Sequence, residues 1–540
     1  MLKKAFQILS NLNKYERLIL LGAVIIFFAS SIFFGWRFYV SKTVIVPTVG
    51  GTYTEGIIGQ PALINPVNAT TDTDQELLPL FFSSLLQLTD SYQTSPDNKV
   101  WTLTLKKDLL WSDGQKLTAD DVVYTINTIQ DPNTHSPLYN DWQNILAERL
   151  NENEIRLTLK IPYAFFTDNL KQLRPIPKHI FSDIPITNFR LSNYNLEPVG
   201  SGPYKYASFA KEKNGFITEY KLESNAKFYG EKVYIENFII KFFNNTDDLI
   251  SAFNKNEIMA TGGLDGQNFK NIKRDAQTFQ INMPRYYALF FNLSDPSPLL
   301  KDKKFRQALS LAIDKKKIAD VALQKTAMII DGPIFPGLEG YDKEFYKEGT
   351  FDLEKAKKIL TDNKFLAKKV ILDLVVPQIP FLTDTSVIIK ENWEQLDVKV
   401  NLIVVDPTDV ANQYIKTRNY SIILFGNILK ANPDTSSFWH SSQRFYPGLN
   451  LSLYNNKNID SILEAINQQA DPSLRQKNLL ALQRQITEDT PAIFLFSPNY
   501  IYITSQKLNG FKVDFLASAA DRFGEVNRWY LKTKRKFKRS

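Results

Sequence analysis

The sequence predicts an α/β or α+β fold that is divided into two or three lobes and preceded by one apolar helix. The chain has 540 residues, more than the roughly 100–200 of a typical domain. Segments with the two-residue periodicity of strands alternate with segments of helical spacing. A long apolar run at 18–40 lies near the N-terminus. Hydrophobic residues make up 44% of the chain and charged residues 23%, a balance typical of globular proteins.

The first predicted element is a transmembrane anchor at 18–40. The run has about 23 residues, interrupted only by Arg37 near its outer end, and about 20 suffice to span a bilayer. Basic residues precede it, so the positive-inside rule places residues 1–17 in the cytoplasm. We expect residues 41–49 to form a tether and the folded domain to lie on the extracytoplasmic side of the cell membrane, after a single pass. The basic residues are Lys3, Lys4, Lys14 and Arg17.

A cleaved signal peptide is the alternative interpretation of the same segment. Its apolar region would be shorter, about 7–15 residues, and would end at small residues. Ala29-Ser30-Ser31 resembles a cleavage site, but the apolar run continues through Ile32, Phe33 and Phe34. The length of the run favours an uncleaved anchor. Either alternative places residues 42–540 outside the cytoplasmic membrane.

The net charge of +8 is concentrated at the two ends of the chain. Residues 1–50 carry +5 and residues 521–540 carry +6, which leaves −3 for the folded middle. A mildly acidic domain does not imply a surface for nucleic acid. We interpret residues 516–540 as a basic C-terminal tail. Its run KTKRKFKR at 532–539 either contacts anionic lipid or wall polymer or, as we favour, forms a solvated, disordered end.

Local patterns predict strands and helices through the rest of the chain. The predicted strands are 52–58, 100–105, 155–161, 235–243, 286–293, 370–376 and 398–405, with a further apolar segment at 492–496. The predicted helices are 75–88, 120–129, 305–323, 353–360, 386–396, 459–469 and 474–488, of which 305–323 is the most clearly amphipathic.

The stretch WSDGQKLTADDV at 111–122 contains three aspartates between two hydrophobic runs. Asp113 and Gly114 form a turn dipeptide, because glycine accepts a positive φ. Thr118 and Asp121 resemble a capping box at the start of a helix. Asp120 and Asp121 also suit the positive end of the helix dipole. Each aspartate therefore has a structural explanation, and we predict no catalytic role for them.

The residue inventory disfavours an enzyme. The chain has no cysteine, which excludes disulfides, thiolate metal sites, a cysteine nucleophile and a lipidated cysteine. It contains neither the GxSxG elbow of hydrolases nor a GxxxxGK[ST] phosphate loop. We therefore predict no catalytic residue, no metal and no cofactor. The three histidines do not have metal-binding spacing; they are His135, His179 and His440.

A series of short motifs runs in a fixed order between residues 50 and 515. The central one is WTLTL at 101–105, followed by LWSDG at 110–114 and LTADDV at 117–122. The others are GGT at 50–52, LINP at 63–66, PVGSGPY at 198–204, FRQAL at 305–309 with AIDK at 312–315, FDLEKAKKIL at 351–360, YNN at 454–456 with ID at 459–460, and QRQITEDTP at 483–491.

Together these motifs resemble family 5 extracellular solute-binding proteins, the dipeptide, oligopeptide and nickel binding proteins of ABC importers. The resemblance implies an α/β, periplasmic-binding-protein-like fold of type II, cluster C. Two lobes then surround a cleft that closes on ligand, with an extra domain added and, in this chain, one N-terminal transmembrane helix. Mapped onto this sequence, lobe I comprises 50–80 and 200–290, the extra domain 81–199, and lobe II 291–515.

The resemblance also implies ligand-binding residues on both walls of the cleft. It places Thr71, Asp72 and Thr73 at the cleft through their backbone. In the family's peptide binders, an aspartate that pairs with the α-amine of the ligand comes shortly before a D-P-D run. That run corresponds here to Asn432-Pro433-Asp434, and the aspartate position is occupied by Leu429.

A leucine cannot hold an ammonium group, and the neighbouring Lys430 would repel one unless it points to solvent. The sequence therefore departs from the family pattern for recognising a free peptide N-terminus. A shifted alignment would give that role to Asp434. Besides these positions, Asn427 and Trp439 are ligand candidates. The structural alternatives are a turn residue for Asn427, a helix cap for Asp434 and a core side chain for Trp439.

The sequence is best explained by a membrane-anchored solute-binding protein. It would capture a peptide or similar solute in the interlobe cleft and deliver it to an ABC transporter permease. We expect a monomer that binds no nucleic acid. The alternatives are a peptide sensor or a chaperone-like surface protein without transport, and, disfavoured by the residue inventory, an extracellular hydrolase.

Overall fold

The computed structural model describes residues 13–344, 350–367, 369–429 and 431–538. Lys3, Lys4 and Lys430, to which the sequence analysis assigned roles, lie outside these residues. In chain order the strands are β1 (Thr43–Thr48), β2 (Thr52–Ile58), β3 (Thr89–Thr94), β4 (Val100–Leu105), β5 (Ile145–Arg149), β6 (Glu154–Leu159), β7 (Tyr204–Lys211), β8 (Ile217–Ser224), β9 (Asn237–Phe243), β10 (Ala260–Leu264), β11 (Gln277–Ile281), β12 (Arg285–Phe291), β13 (Ala327–Ile329), β14 (Val370–Pro377), β15 (Val398–Val405), β16 (Ile422–Ile428), β17 (Ala492–Pro498), β18 (Tyr500–Thr504) and β19 (Lys532–Phe537).

The helices lie between these strands and on both sides of the sheets. In chain order they are α1 (Lys14–Lys42), α2 (Asp72–Phe81), α3 (Leu85–Leu88), α4 (Ala119–Gln130), α5 (Tyr139–Trp142), α6 (Phe166–Gln172), α7 (Lys178–Phe181), α8 (Thr246–Asn254), α9 (Gly266–Phe269), α10 (Pro298–Lys301), α11 (Lys303–Leu311), α12 (Lys315–Lys317), α13 (Leu353–Asp362), α14 (Pro380–Glu394), α15 (Pro407–Asp409), α16 (Ser436–Trp439), α17 (Lys457–Gln468) and α18 (Pro472–Asp489).

Helix α1 is the predicted apolar helix. Asn13 caps its N-terminus, and Glu16 completes a capping box by accepting from the Asn13 backbone N–H at 2.8 Å. The helix has 29 residues, and its most apolar window has a mean hydropathy of 2.6 with none of its residues buried in the protein. By length and composition, α1 is able to cross a membrane.

Two large sheets define the two lobes. The lobe I sheet has the strand order β11-β18-β10-β2-β9-β8-β7, and the lobe II sheet has the order β13-β17-β12-β16-β14-β15. Parallel and antiparallel pairs occur in both sheets, and helices cover them. The α/β, two-lobed fold expected from the sequence is thereby confirmed.

The chain crosses between the lobes at two short segments. The first is residues 282–284, between β11 and β12, and the second is Asn499 alone, between β17 and β18. The expected lobe boundaries are therefore wrong in two places. Strand β12 belongs to lobe II although the range 200–290 assigned most of it to lobe I. Strand β18 belongs to lobe I although 291–515 assigned it to lobe II, because its partners are the distant strands β10 and β11.

The extra domain, within 81–199, is built on the four-stranded sheet β3-β4-β6-β5. It shares one continuous hydrophobic core with lobe I, which includes Trp101 and Trp111 from the extra domain and Tyr53 from lobe I. The PVGSGPY segment packs directly on the end of α2. A Cβ at Gly200 would lie 1.9 Å from the Phe81 carbonyl oxygen, so only glycine allows this approach.

The three aspartates of WSDGQKLTADDV have structural roles, as predicted. Asp121 accepts a hydrogen bond from the Thr118 backbone N–H at 2.8 Å, which completes the capping box of α4. Asp120 pairs with Arg149 at 2.8 Å. Asp113 lies 2.8 Å from Nε2 of His179. All three carboxylates are thus bonded within the extra domain.

The predicted helix at 305–323 is wrong in its extent. Helix α11 ends at Leu311, and Asp314 begins a new helix by accepting from the Lys317 backbone N–H at 2.8 Å. The backbone N–H of Asp314 in turn donates to Asn392 on α14 at 3.1 Å. The Asp314 side chain thus interrupts the helix by capping a new one. The apolar periodicity continues across this break, so the pattern alone predicts one long helix. The predicted helix at 75–88 likewise divides into α2 and α3.

The expectation of a disordered end at 532–539 is wrong in the part that the structure describes, because residues 532–537 form β19, and the expected tether at 41–49 contains its partner strand β1. Strand β1 pairs antiparallel with β19 over its whole length, from Thr43 opposite Phe537 to Thr48 opposite Lys532. The segment that leads to β19 contributes buried side chains to the core of lobe I. These are Arg522, Phe523, Val526 and Trp529.

Arg522 forms a buried ion pair with Glu55 on the central strand β2. The two side chains are 1% and 0% exposed, and Nε of Arg522 lies 3.0 Å from the Glu55 carboxylate. The hydroxyls of Tyr53 and Tyr502 each donate to the other oxygen of Glu55 at 2.9 Å. Arg522 also contacts Glu76 on α2 at 2.6 Å. Both members of the pair are therefore fully hydrogen-bonded, as buried charges require.

We predict that Arg522→Met strongly destabilises the protein. The substitution leaves the Glu55 carboxylate buried without its cation, which lowers the free energy of unfolding by roughly 3–5 kcal/mol. Chemical denaturation of the wild-type and variant proteins measures this loss.

The matched control is Arg528→Met, six residues away in the same segment. Arg528 pairs with Glu525 at 2.9 Å, but its side chain is 57% exposed. An exposed ion pair contributes about 0–1 kcal/mol. If both variants lost the same free energy of unfolding, the buried pair would not be more important for stability than the exposed one.

Candidate ligand-binding site

The cleft between the lobes contains a cavity of about 200 Å³, which we call the cleft cavity. Lobe I contributes the loop that follows β10, together with Tyr500. Lobe II contributes Arg285 and Tyr287 from β12, Pro380 and Phe381 from the start of α14, and the segment around Thr326. A solute held here would contact both lobes at once.

A second cavity of about 340 Å³, the lobe II cavity, lies beside the first. Its lining is mainly apolar and comes from β12, the end of β14, the start of α14 and the end of β16. The two cavities share Arg285 and Tyr287. Together they extend the candidate site from the hinge side of the cleft into lobe II. The lining residues that are not shared include Pro377, Ile379, Leu382, Phe425, Asn427 and Ile428.

Arg285 is the charged side chain between these cavities. It begins β12, and its Nη2 makes one long hydrogen bond, 3.4 Å, to the Pro498 carbonyl oxygen. Its Nε is buried and has no hydrogen-bond partner, and no carboxylate among the described residues pairs with it. Burial lowers the pKa of the Arg285 guanidinium below its ordinary value. A half-buried cation in this state would be stabilised by an anionic group in the cleft.

Aromatic residues share the lining of the cleft cavity with Arg285. The Tyr287 ring stacks on Phe496 with a centroid distance of 5.5 Å and meets Phe381 edge-on at 5.2 Å. Tyr500 approaches from lobe I. A Cβ at Gly262 would lie 2.0 Å from the Tyr500 hydroxyl oxygen, so a glycine in β10 is required for this ring to occupy its position. The site therefore combines apolar and aromatic contact area with the cation of Arg285 and the carboxylate of Asp265, which also lines the cleft cavity and accepts from the Asn268 side chain at 3.1 Å.

Direct contacts join the two lobes beside the cleft cavity. Gln267 of lobe I donates to Asp384 on α14 at 3.4 Å. The backbone N–H of Asn499, at the second crossing, donates to the Thr326 carbonyl oxygen at 2.9 Å. These contacts lie next to the two crossing segments, so they close the hinge side of the cleft.

The extra domain is joined to lobe II on the opposite side by residues 163–168, which we call the latch. Phe165 is 6% exposed and packs in the core of lobe II. The Tyr163 hydroxyl donates to Asp434 at 3.1 Å. Burial, reinforced by the Asp434 carboxylate, raises the pKa of Tyr163, so this hydroxyl stays protonated. Asn432 donates to Asp168 at 2.9 Å. The extra domain and lobe II are therefore in direct contact through the latch.

Thr71, Asp72 and Thr73 lie at the start of α2. Thr71 caps the helix by accepting from the Asp74 backbone N–H at 3.1 Å, and the Thr73 hydroxyl donates to the Ile58 carbonyl oxygen at 3.2 Å. Ile58 ends β2, which runs parallel to β10. The three residues therefore lie at the same edge of the lobe I sheet as the cleft loop, although they do not line either of the two cavities.

Asn427 and Trp439 lie close together in lobe II. Asn427 lines the lobe II cavity and donates to the Tyr286 hydroxyl at 3.0 Å. Trp439 is 1% exposed and packs against Phe494 with a centroid distance of 5.8 Å. The indole N–H of Trp439 is buried without a partner. Asn427 thus contacts the candidate site, whereas Trp439 supports it from the core.

Leu429 and Asp434 are not part of this site. The side chain of Leu429 is 4% exposed and packs in the lobe II core, while its backbone N–H donates to the Pro284 carbonyl oxygen at 2.7 Å. The Asp434 carboxylate accepts from Tyr163 in the latch and from Asn467 at 3.1 Å. It borders a separate cavity of about 320 Å³ between the extra domain and lobe II.

The sequence analysis did not identify Arg285, Tyr287, Phe381 or Tyr500 as site residues. One signal was available for Arg285, because a basic residue directly precedes the apolar strand YYALFF. The aromatic residues carried no such signal. They are typical of buried strands and helices, and only the meeting of two sheets brings them to one cavity.

Two lobes joined by two short crossings, with a lined cavity between them, define a two-lobed binding protein. Comparison with known families identifies the class further. The model of bacterial extracellular solute-binding proteins, family 5, matches residues 86–445. Because this match covers more than half of the chain, the protein belongs to that family.

Among characterised relatives, the chain is similar to the oligopeptide-binding protein AppA of Bacillus subtilis, with 24% identity over 86% of this chain and 90% of AppA. It is also similar to the dipeptide-binding protein of Escherichia coli, with 21% identity over 84% of this chain and 91% of the relative. The nickel-binding periplasmic protein of Escherichia coli matches about half of each chain at 25% identity.

Solved structures show the same fold. The ABC transporter substrate-binding protein CtaP of Listeria monocytogenes superposes with a TM-score of 0.78 and 25% identity, covering 90% of this chain and all of CtaP. AppA of Bacillus subtilis in complex with a nonapeptide has a TM-score of 0.70 at 23% identity, over 90% of this chain and all of AppA. These likenesses agree with the two-lobed arrangement described above.

We predict that Phe165→Ala opens the cleft. Truncating this ring leaves a cavity in the lobe II core and removes about 3–5 kcal/mol of packing. Because Phe165 comes from the extra domain, much of that loss falls on the closed form alone. Small-angle X-ray scattering is expected to show a larger radius of gyration than for the wild-type protein.

Leu191→Ala is the control for this prediction. Leu191 is also in the extra domain, but its side chain is 81% exposed and makes no latch contact. The two variants are expected to differ in radius of gyration while both keep their helix and strand content by circular dichroism. An unchanged radius for Phe165→Ala would show that the latch does not hold the lobes together.

Proposed function

We propose that this protein captures a peptide-like solute bearing an anionic group in the interlobe cleft and delivers it to an ABC transporter permease. Helix α1 would hold it at the membrane, with the lobes on the extracytoplasmic side. Binding alone suffices for this role, since a ligand that contacts both lobes shifts the equilibrium from open to closed. Members of this family are solute-binding proteins rather than enzymes.

The observation that supports an anionic group is the state of Arg285. Its side chain is half-buried in the cleft wall, with a buried Nε that has no partner and no carboxylate paired with it among the described residues, in contrast to Arg522, which is bonded to Glu55 and Glu76. A partly desolvated cation is stabilised by an anionic partner. A carboxylate or similar oxyanion of the solute would supply the missing partner through charge-assisted hydrogen bonds.

A peptide-like body fits the rest of the lining. Tyr287, Phe381 and Tyr500 present rings to the cleft cavity, and the lobe II cavity adds apolar volume. Leu429, where an aspartate was expected for the amine, is turned into the core. We infer that affinity depends on the anionic end of the solute more than on a free amino group.

The first prediction is that the purified full-length protein retains its solute. Native mass spectrometry in detergent, before and after mild unfolding, is expected to show release of small molecules whose fragmentation gives amino-acid masses. A single non-peptide mass would replace the peptide assignment and name another solute. An empty protein that also shows no thermal shift with any acidic or neutral peptide would overturn the proposed function.

The second prediction concerns the charge at Arg285. We expect Arg285→Met to weaken binding of a carboxylate-bearing peptide by about tenfold to a hundredfold, the range for a hydrogen bond to a charged group. The same peptide with its carboxylates converted to amides is expected to bind both proteins equally. Isothermal titration calorimetry with the peptide and its amide measures both effects.

Arg274→Met is the matched control. Arg274 also has a guanidinium whose pKa is lowered by burial, but it donates to the backbone carbonyls of Phe253 and Ile258 within lobe I. It does not line either cavity. An equal loss of affinity in both variants would indicate a general structural effect. Unchanged affinity in Arg285→Met would show that Arg285 does not contribute to binding of the peptide. The cleft would still be a possible binding site.

A further inference from the structure

The paired strands β1 and β19, which we call the basic ribbon, are the part of the protein next to α1. Residues 42–48 and 532–538 contain basic residues but no acidic ones. None of the lysines of the ribbon forms an ion pair within the described parts of the chain. The basic residues are Lys42, Lys532, Lys534, Arg535, Lys536 and Lys538.

The lysines of β19 share one face of the ribbon, whereas Arg535 lies on the other face with Ile45 and Phe537. Because side chains alternate along a strand, Lys532, Lys534 and Lys536 share one face. Their partners across the ribbon are Thr48, Val46 and Val44, so apolar and cationic side chains lie side by side on that face. The three lysines are exposed, and Val44 is 41% exposed. A mixed surface of this kind suits the boundary between lipid headgroups and acyl chains.

The ribbon is attached to the end of α1 without a flexible linker. The backbone N–H of Lys538 donates to the Lys42 carbonyl oxygen at 2.8 Å, and the Thr43 hydroxyl donates to the Tyr39 carbonyl oxygen at 2.6 Å. The Tyr39 and Phe537 rings meet edge-on at 5.9 Å. Nη1 of Arg535 donates to the Thr43 hydroxyl at 3.1 Å. The position of α1 in a membrane therefore sets the position of the ribbon.

The length of α1 places the ribbon at the membrane surface. The apolar segment 18–40 spans about 34 Å at 1.5 Å per residue, against a hydrocarbon thickness of about 30 Å. Trp36 and Tyr39, with centroids 6.1 Å apart, lie in the last turns, where aromatic residues commonly occupy the interface. Thr43 follows within one helical turn, at the depth of the headgroups.

We propose that the basic ribbon binds the anionic headgroups of the membrane that α1 crosses. This inference rests on the proposed membrane anchoring of α1. The lysine face supplies cations at the depth of lipid phosphates, and Val44 and Val46 enter the apolar boundary beside them. The contact fixes the orientation of lobe I relative to the membrane, since lobe I and the ribbon are joined through Trp529 and its neighbours.

The test uses full-length protein reconstituted in vesicles of phosphatidylcholine alone or of phosphatidylcholine with phosphatidylglycerol. Because the chain has no cysteine, Val44→Cys gives a single labelling site on the lysine face for an environment-sensitive fluorophore. We expect acrylamide to quench the fluorescence of this label at least about twofold less in the anionic vesicles than in phosphatidylcholine vesicles. High salt is expected to remove the difference. A label at Thr533→Cys, on the other face, is expected to change less.

The charge requirement is tested by K532Q/K534Q/K536Q in the Val44→Cys protein, which is expected to abolish the difference between the two vesicle types. The control K355Q/K357Q/K358Q removes the same charge from exposed positions on α13 and is expected to keep that difference. Equal quenching in both vesicle types would overturn the proposal, as would protection that persists in the ribbon variant. So would protection by an added anionic wall polymer but not by anionic lipid.

Vesicle flotation separates this proposal from the anchoring on which it rests. If the protein fails to float with vesicles at high salt, the anchor itself is wrong. If the protein floats with both vesicle types but the label does not respond to lipid charge, the anchor stands and the ribbon proposal fails.

Discussion

The buried pair of Arg522 and Glu55 joins two parts of lobe I that are 467 residues apart in sequence. Glu55 lies on the central strand of lobe I, Tyr502 on the strand that returns from lobe II, and Arg522 on the segment that leads to β19. A charge pair in a dry core is weakly stabilising by itself, but neither member tolerates the loss of the other. Lobe I is therefore complete only when the residues that follow lobe II in sequence pack against those that precede it.

That closed path explains the geometry of the cleft. Lobe II is inserted between β11 and β18, and both connections are short, so residues 282–284 and Asn499 are the two places where the chain passes between the lobe sheets. The latch adds a second contact far from these crossings. Arg522 is paired with carboxylates inside the core, whereas Arg285 at the cleft has no carboxylate partner among the described residues, which is why we propose a ligand contact for Arg285 alone.

Local sequence patterns were sufficient for many elements and for the family. Alternating residues at 100–105 and 398–405 formed strands, and the capping residues of WSDGQKLTADDV formed the predicted helix start, because these structures depend on neighbours within a few residues. The interruption at Asp314 was not evident, since its partner Asn392 lies on another helix. The strand pairing of 43–48 with 532–537 was missed for the same reason, because a run of lysines is typical of a solvated tail unless a distant strand is there to pair with it.

The sequence by itself determined the class of the protein, the apolar helix, the absence of cysteine chemistry and the order of the family motifs. Only the tertiary structure decided which residues form the cleft, where the lobes begin and end, and which charged groups are buried or paired. Burial and pairing are properties of the assembled lobes. The roles of Arg285, Leu429 and the basic strand β19 depend on residues that are distant from them in sequence.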